Sequence, residues 1–134
     1  DSLQEIGEWT FWDCNKVCIS VIPEHVSKIG RLAFTCCEGI KALVFKNQLE
    51  VINDRAFSGC KNLERIVFPN NLREISDFAF ARCINLKGIN LPASLQKIGY
   101  RAFGNCESLL FVKYNSNPKV DSSAFMNCPI SQEK

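Results

Sequence analysis

Apolar residues recur along this chain at a fixed interval of 23 positions. The clearest column is phenylalanine, which follows alanine in four copies and stands at positions 34, 57, 80 and 103, each 23 after the last. The same spacing reaches Phe11 in one direction and Phe125, one residue early, in the other. Self-similarity at a fixed period of this length is typical of repeat architectures, so the chain is predicted to be built from one recurring unit.

Cysteine forms a second column three residues behind phenylalanine. Its members are Cys14, Cys37, Cys60, Cys83, Cys106 and, again one residue early, Cys128. Isoleucine and leucine occupy the other apolar columns, so that one copy, read from Leu72, is LREISDFAFARCINLKGINLPAS. Five copies begin at positions 3, 26, 49, 72 and 95, and a degenerate sixth copy covers 118–134. We therefore predict a single repeat domain over residues 1–134.

Apolar columns separated by steps of three, two and three positions fit neither a long helix nor an extended strand. A solenoid satisfies them, because each coil buries its apolar positions against the coils above and below. The segment 63–68 is predicted to be a short strand, which Pro69 ends. The column at positions 7, 30, 53, 76 and 99 holds Gly, Gly, Asn, Ser and Gly, which predicts a second turn with a left-handed backbone in some copies.

The repeat unit LxxIxLPxxLxxIgxxAFxxC resembles the BspA-like leucine-rich repeat of bacterial and some protist surface proteins, and it extends from Leu3 to Cys128. The resemblance implies an α/β repeat fold, a right-handed leucine-rich-repeat solenoid. Short parallel strands would line its concave face, and short strands, turns or 3-10 segments its convex side. It also implies a cell-surface or secreted, adhesive protein whose partner is a host or matrix protein.

Composition and charge narrow the function classes. The 134 residues suffice for one core, and 16 Lys+Arg against 14 Asp+Glu give a net charge of +2, so nucleic acid is not an expected partner. No apolar run is long enough to span a membrane, and the first residues lack the layout of a signal peptide. We therefore expect no membrane insertion in this segment.

The 8 cysteines allow three kinds of chemistry. A zinc site needs four converging ligands, whereas one thiol per coil spreads the sulfurs along the stack. Disulfides between stacked coils are harder to exclude, but parallel side chains place their Cβ atoms near the upper limit for a bridge. We favour buried thiols that reach a neighbouring carbonyl. Cys18 and Cys36 lie off the column, and a bridge between them that ties the first two coils stays an alternative.

The sequence contains no recognisable active-site pattern. GxGxxG, GxxxxGK[ST], HExxH and GxSxG are all missing. The single histidine, His25, follows Pro23 in a predicted solvated turn rather than beside a candidate nucleophile. We expect a protein that is not an enzyme and has no cofactor, no metal site and no catalytic residue.

Repeat proteins usually bind on the surface that stacking creates, so the outward columns of the strands are the candidate site. The first column reads Ile19, Ala42, Arg65, Gly88 and Phe111, and the second reads Val21, Val44, Val67, Asn90 and Lys113. The predicted binding residues are Ile19, Val21, Ala42, Val44, Arg65, Val67, Phe111 and Lys113. Phe111 and Arg65 are the candidate anchors, because aromatic residues and arginine are favoured at interface centres.

Two explanations of the apolar outward residues remain open. Valine suits a strand on any face, so β-propensity alone accounts for them. Alternatively they form a contact patch for another protein. The leading hypothesis is therefore a non-catalytic protein-binding module that uses the concave strand face, and the alternative is a structural spacer within a longer surface protein.

Overall fold

The computed structural model of the chain describes residues 5–11, 20–46 and 48–130, and this part contains eleven short strands, no α-helix and no 3-10 helix. In the described residues each of the first five coils contributes two strands and the sixth contributes one, and these strands form two walls of the solenoid. The first wall, called the front face, consists of β2 (Val21–Ile22), β4 (Ala42–Phe45), β6 (Arg65–Val67), β8 (Gly88–Asn90) and β10 (Phe111–Lys113). The second, called the side face, consists of β1 (Glu5–Ile6), β3 (Lys28–Ile29), β5 (Val51–Ile52), β7 (Glu74–Ile75), β9 (Lys97–Ile98) and β11 (Lys119–Val120).

All paired strands are parallel and join residues of consecutive copies. On the front face Leu43 lies opposite Ile66, which is the 23-residue step of the sequence. On the side face Ile75 pairs with Ile98, but Ile98 pairs with Val120, a step one residue shorter. The front-face strands β8 and β10 still pair with the 23-residue step. The last copy therefore loses its one residue between β10 and β11.

The third wall is made by the Ala-Phe segments, which form turns rather than strands. Backbone N–H groups there alternate between two kinds of acceptor. The N–H of Phe34 donates to the carbonyl of Ala56 in the next coil at 2.8 Å, whereas the N–H of Thr35 donates to the carbonyl of Leu32 at 3.3 Å. Phe57 and Phe80 repeat the inter-coil bond, so these turns are stacked as regularly as the strands.

Residues with a left-handed backbone, that is with positive φ, produce this alternation of acceptors. They do not stand at the positions that the sequence predicted. The second to fifth copies each have two, just before the alanine and just before the cysteine, and the described parts of the first and last copies have one each, before Thr10 and before Cys128. They are Trp9, Leu32, Arg55, Phe78 and Arg101, and then Cys36, Gly59, Arg82, Asn105 and Asn127. The prediction of left-handed backbone at the small-residue column is wrong, since neither Gly30 nor Gly99 has a positive φ. The reason for glycine there is space, because a Cβ on Gly30 would lie 2.6 Å from the Glu8 nitrogen.

The core is a set of side-chain stacks that run the length of the solenoid. Phenylalanine rings at 11, 34, 57, 80, 103 and 125 stack with centroid separations of 5.0–5.4 Å. Phe45 and Phe68 meet two of these rings edge-on at 6.0 and 5.9 Å. Isoleucine and leucine columns fill the rest of the interior. The structure is thus a parallel-strand solenoid as predicted, while the α part of the predicted α/β class is not found in the described residues.

Candidate protein-binding face

The front face presents the predicted binding residues to solvent. Val21, Val67 and Phe111 are 42%, 52% and 63% exposed. Ala42 and Val44 are half-buried. Of the remaining predicted residues, Arg65 and Lys113 are exposed and Ile19 lies outside the described residues. The alternation of the strands produces this arrangement, because neighbouring side chains point to opposite sides of a sheet and the inward ones fill the core.

Three valines on this face form a continuous line. Val21 lies opposite Val44, and Val44 opposite Val67, in the parallel ladder. Neighbouring strands are about 4.8 Å apart, so this valine stripe is about 10 Å long across β2, β4 and β6. The strands are held by the inward residues Leu43 and Ile66, which are buried in the core. The stripe is therefore a fixed apolar surface and not a set of isolated residues.

Further exposed apolar residues lie at the other end of the front face. Phe111 sits beside Gly88, whose Cβ would be 3.5 Å from that of Phe111, and Leu110 and Tyr114, which flank β10 along the chain, are each 44% exposed. Sequence reasoning missed Leu110, although the charged residues at the same position in the preceding copies, Lys87 among them, were a usable signal. Tyr114 stands where preceding copies carry the core residues Phe68 and Leu91, so the repeat predicts that it is buried. That prediction is wrong, because Tyr114 is 44% exposed, and its partial burial raises its pKa.

The two predicted anchors are not brought together. Arg65 belongs to β6 and Phe111 to β10, two strands away, and Gly88 of β8 lies between them in the same column. At about 4.8 Å per strand they are separated by about 10 Å. A partner that touched both would have to extend over at least three coils.

In the described residues the cysteine column is a set of thiols that donate to backbone carbonyls, and all of them are buried except the half-buried Cys128. Cys60 donates to the carbonyl of Phe34 at 3.3 Å, and Cys83 to that of Phe57 at 3.4 Å. Cys37, Cys106 and Cys128 make the same bond one copy back at 2.9, 3.1 and 2.9 Å. Burial raises the pKa of the Cys60 and Cys83 thiols. The preferred interpretation of the column is confirmed, and these neutral thiols are poor nucleophiles.

The residues set apart by sequence reasoning do not assemble into a reactive site. Cys36 is a free, half-buried thiol, and its proposed partner Cys18 lies outside the described residues. His25 is half-buried in a turn that the N–H of Val26 closes by donating to the carbonyl of Pro23 at 3.2 Å. Within the described part of the chain, no group of His, Cys, Asp and Glu side chains is arranged to hold a metal ion. Nor does any helix there span a membrane.

Ion pairs connect neighbouring coils on the walls other than the front face. Arg31 lies 3.8 Å from Glu8 and 3.6 Å from Asp54, and Asp54 is 2.9 Å from Arg55. The Arg55 guanidinium then lies 4.4 Å above the ring of Phe78. Further pairs are Glu38–Lys61, Glu50–Arg73 and Glu74–Lys97. Such exposed pairs add little stability.

Comparison with known sequences gives one family. Residues 4–132 match the family described as "BspA type Leucine rich repeat region (6 copies)". No curated protein sequence is significantly similar to the chain.

Solved structures of bacterial repeat proteins are similar to this one. A leucine rich cell surface protein from Faecalibacterium prausnitzii is 29% identical, with a TM-score of 0.81 over 87% of this chain and 31% of its own. A leucine-rich repeat protein from Bacteroides ovatus is 35% identical, with a TM-score of 0.77 over 84% and 29%. The T. pallidum Leucine Rich Repeat protein is 30% identical, with a TM-score of 0.74 over 83% and 55%. The chain therefore spans between about a third and about half of the length of these proteins.

Proposed function

Because the chain belongs to the BspA-type leucine-rich repeat family, a general kind of protein-interaction module, we propose that it is a non-catalytic module that binds another protein through its front face. The observation that carries the proposal is the valine stripe, in which Val21 of β2 and Val67 of β6 are substantially exposed on either side of the half-buried Val44 of β4. Exposed apolar side chains that adjoin one another form a contact surface, whereas scattered ones do not. Phe111 extends the contact at the other end of the face.

The setting of this module is part of the same proposal. The Faecalibacterium prausnitzii relative is described as a cell surface protein, and a surface or secreted location with a host or matrix protein as partner fits a module of this kind. Residues 1–134 would form one right-handed domain with the front face on its concave side. A concave face lets several coils touch one ligand, which agrees with contacts spread from Val21 to Phe111.

The first prediction tests the front face directly. The double variant Val44→Asp/Val67→Asp places two charges in the stripe, and we expect it to weaken binding to a purified matrix or serum protein by at least about tenfold, because a desolvated carboxylate is costly. Biolayer interferometry against a panel of such proteins gives the affinity. Val51→Asp is the matched control, since Val51 is half-buried on the side face.

The alternative, a structural spacer, predicts a different result. Equal affinity of the double variant and the parent protein, with unchanged circular dichroism, would show that the front face is not the contact surface. A panel in which no protein binds the parent would also favour the spacer.

A further inference from the structure

We infer that the front face takes an acidic amphipathic helix of its partner, with the apolar side of the helix on the valine stripe and its carboxylates against the surrounding lysines and arginine. This rests on the proposed function and adds the chemistry of the partner. Two observations carry it: the distribution of charge between the walls of the solenoid, and the spacing of the stripe.

The charged side chains on and beside the front face are mostly basic. The exposed charged residues in and beside the front-face strands are Lys41, Lys46, Glu64, Arg65, Lys87 and Lys113. Glu64 is the only carboxylate among them, although the whole chain carries 14 acidic residues against 16 basic ones. This wall therefore carries an excess of positive charge, with five basic residues and one acidic residue.

These front-face cations also have no ion-pair partner within the described residues. Every ion pair of that part of the chain involves Arg31, Arg55, Lys61, Arg73 or Lys97, and none of these belongs to the front face. On the side face, by comparison, Arg73 and Lys97 each lie 3.9 Å from a glutamate of the preceding coil, while Lys28 and Lys119 form no ion pair within the described residues. A surface whose cations are unpaired is complementary to an acidic partner.

The spacing of the stripe favours a helix over an extended segment. Val21, Val44 and Val67 are separated by one strand spacing each, about 4.8 Å. A helix lying across the strands presents one apolar residue per turn at intervals of about 5.4 Å. An extended segment presents same-side residues at about 6.6 Å, which loses register within two strands. About two helical turns, with apolar residues at i, i+3 or i+4 and i+7, thus cover the stripe.

The apolar centre separates this partner from a simple polyanion. Arg65 lies beside the stripe and Lys113 beyond it, so the cations surround valines rather than forming a continuous basic track. A polysaccharide or nucleic acid would gain nothing from the valines and would meet Glu64 within the same surface. A surface with both valines and basic side chains is complementary to a polypeptide that carries both apolar and acidic side chains.

Selection from a displayed library of random 16-residue peptides tests the inference on the full chain. We expect enriched peptides to carry Asp or Glu together with apolar residues at i, i+3 or i+4, and i+7. Their affinity should fall by at least about tenfold for Lys46→Glu/Lys113→Glu, because attraction becomes repulsion. It should also fall severalfold between low and high NaCl concentrations, which screen surface charge. Lys28→Glu/Lys119→Glu, the same charge change on the side face, should leave it unchanged.

The outcomes separate this inference from the proposed function. Enriched peptides that are neutral or basic but lose affinity for Val44→Asp/Val67→Asp would overturn the acidic helix and leave the binding face intact. Peptides that bind this variant as well as the parent would contradict the face itself. Heparin, used as a polyanion probe, would overturn the inference if it bound the same lysines regardless of the valines. Enrichment of no peptide would overturn the helix alone, since the proposed function is tested on whole proteins.

Discussion

At the scale of single residues, the cysteines and phenylalanines perform one structural task together. Each described column thiol donates to the carbonyl of a phenylalanine in the preceding copy, and the phenylalanine ring itself stacks on its neighbours. The thiol thus satisfies a buried acceptor without bringing a charge into the core. Cysteine is well suited to this position because it is small, apolar and a weak donor.

The buried thiols make stability depend on alkaline pH. Burial raises the pKa of Cys60 and Cys83 above the ordinary value of 9.0, so the folded protein retains protons that the unfolded chain releases. The free energy of unfolding should therefore fall as the pH rises above 9.0, by at most about 1.4 kcal/mol per pH unit for each thiol. Urea unfolding at a series of pH values measures it.

Substitution of the cysteines distinguishes their contribution to the loss of stability at alkaline pH from the contribution of other titrating groups. The variant Cys60→Ala/Cys83→Ala should show a shallower fall above pH 9.0. Leu63→Val is the control, because it removes a buried methylene and should lower stability equally at every pH. A slope that is the same in all three proteins would contradict this account.

At the scale of elements, turns of successive copies pack against one another as closely as the strands do. The carboxylate of Asp77 accepts a hydrogen bond from the N–H of Tyr100 at 2.8 Å and so joins two copies. Gly99 leaves the room for this bond, since its Cβ would collide with Asp77 Oδ1 and lie 2.9 Å from the Asp77 nitrogen. The close approach of successive turns, and not backbone handedness, requires glycine here.

Alanine scanning of this glycine column provides a matched comparison. Gly99→Ala should lower the free energy of unfolding by about 1–3 kcal/mol, because the added methyl group overpacks the turn. Gly7→Ala should be nearly neutral, because a Cβ there meets nothing closer than Thr10 Oγ1 at 3.5 Å. Thermal and urea unfolding give both values. Equal losses in the two variants would indicate that glycine is retained for another reason.

At the scale of the whole molecule, stability is assembled from contacts between adjacent coils. Phe57 stacks on a ring above and a ring below, at 5.2 and 5.4 Å. In the described residues Phe125 stacks only on Phe103, at 5.3 Å, and is half-buried. A linear array of this kind sums the contributions of neighbouring pairs, so position along the array determines what a side chain contributes.

Identical substitutions along the phenylalanine column should therefore have unequal effects. Phe57→Ala should cost about 3–5 kcal/mol, as expected for a fully buried ring. Phe125→Ala should cost roughly half as much, because one neighbour is lost instead of two. Urea unfolding measures the difference, with Phe111→Ala as an exposed control within about 0.5 kcal/mol of the parent. Equal costs at positions 57 and 125 would mean that the coils do not behave as an additive array.

Much of this architecture follows from the sequence alone. Columns such as Phe34, Phe57 and Phe80 determine the period, and with it the stacking register, because a coil buries its apolar residues only when equivalent positions align. The strand at 65–67 and the exposure of Val21 and Val67 follow in the same way, from alternation within a short segment.

Other features were decided only by the tertiary structure. The left-handed residues are as varied as Leu32, Arg55 and Phe78, so their type does not reveal a backbone imposed by hydrogen bonds to the next coil. Tyr114 occupies a core column of the repeat yet is 44% exposed. The unpaired cations of the front face likewise emerge only once the coils are stacked, since ion pairing depends on which columns become neighbours. The sequence therefore determines which residue types recur every 23 positions. The stacking of the coils determines which of these residues come close enough to form hydrogen bonds, ion pairs or buried contacts.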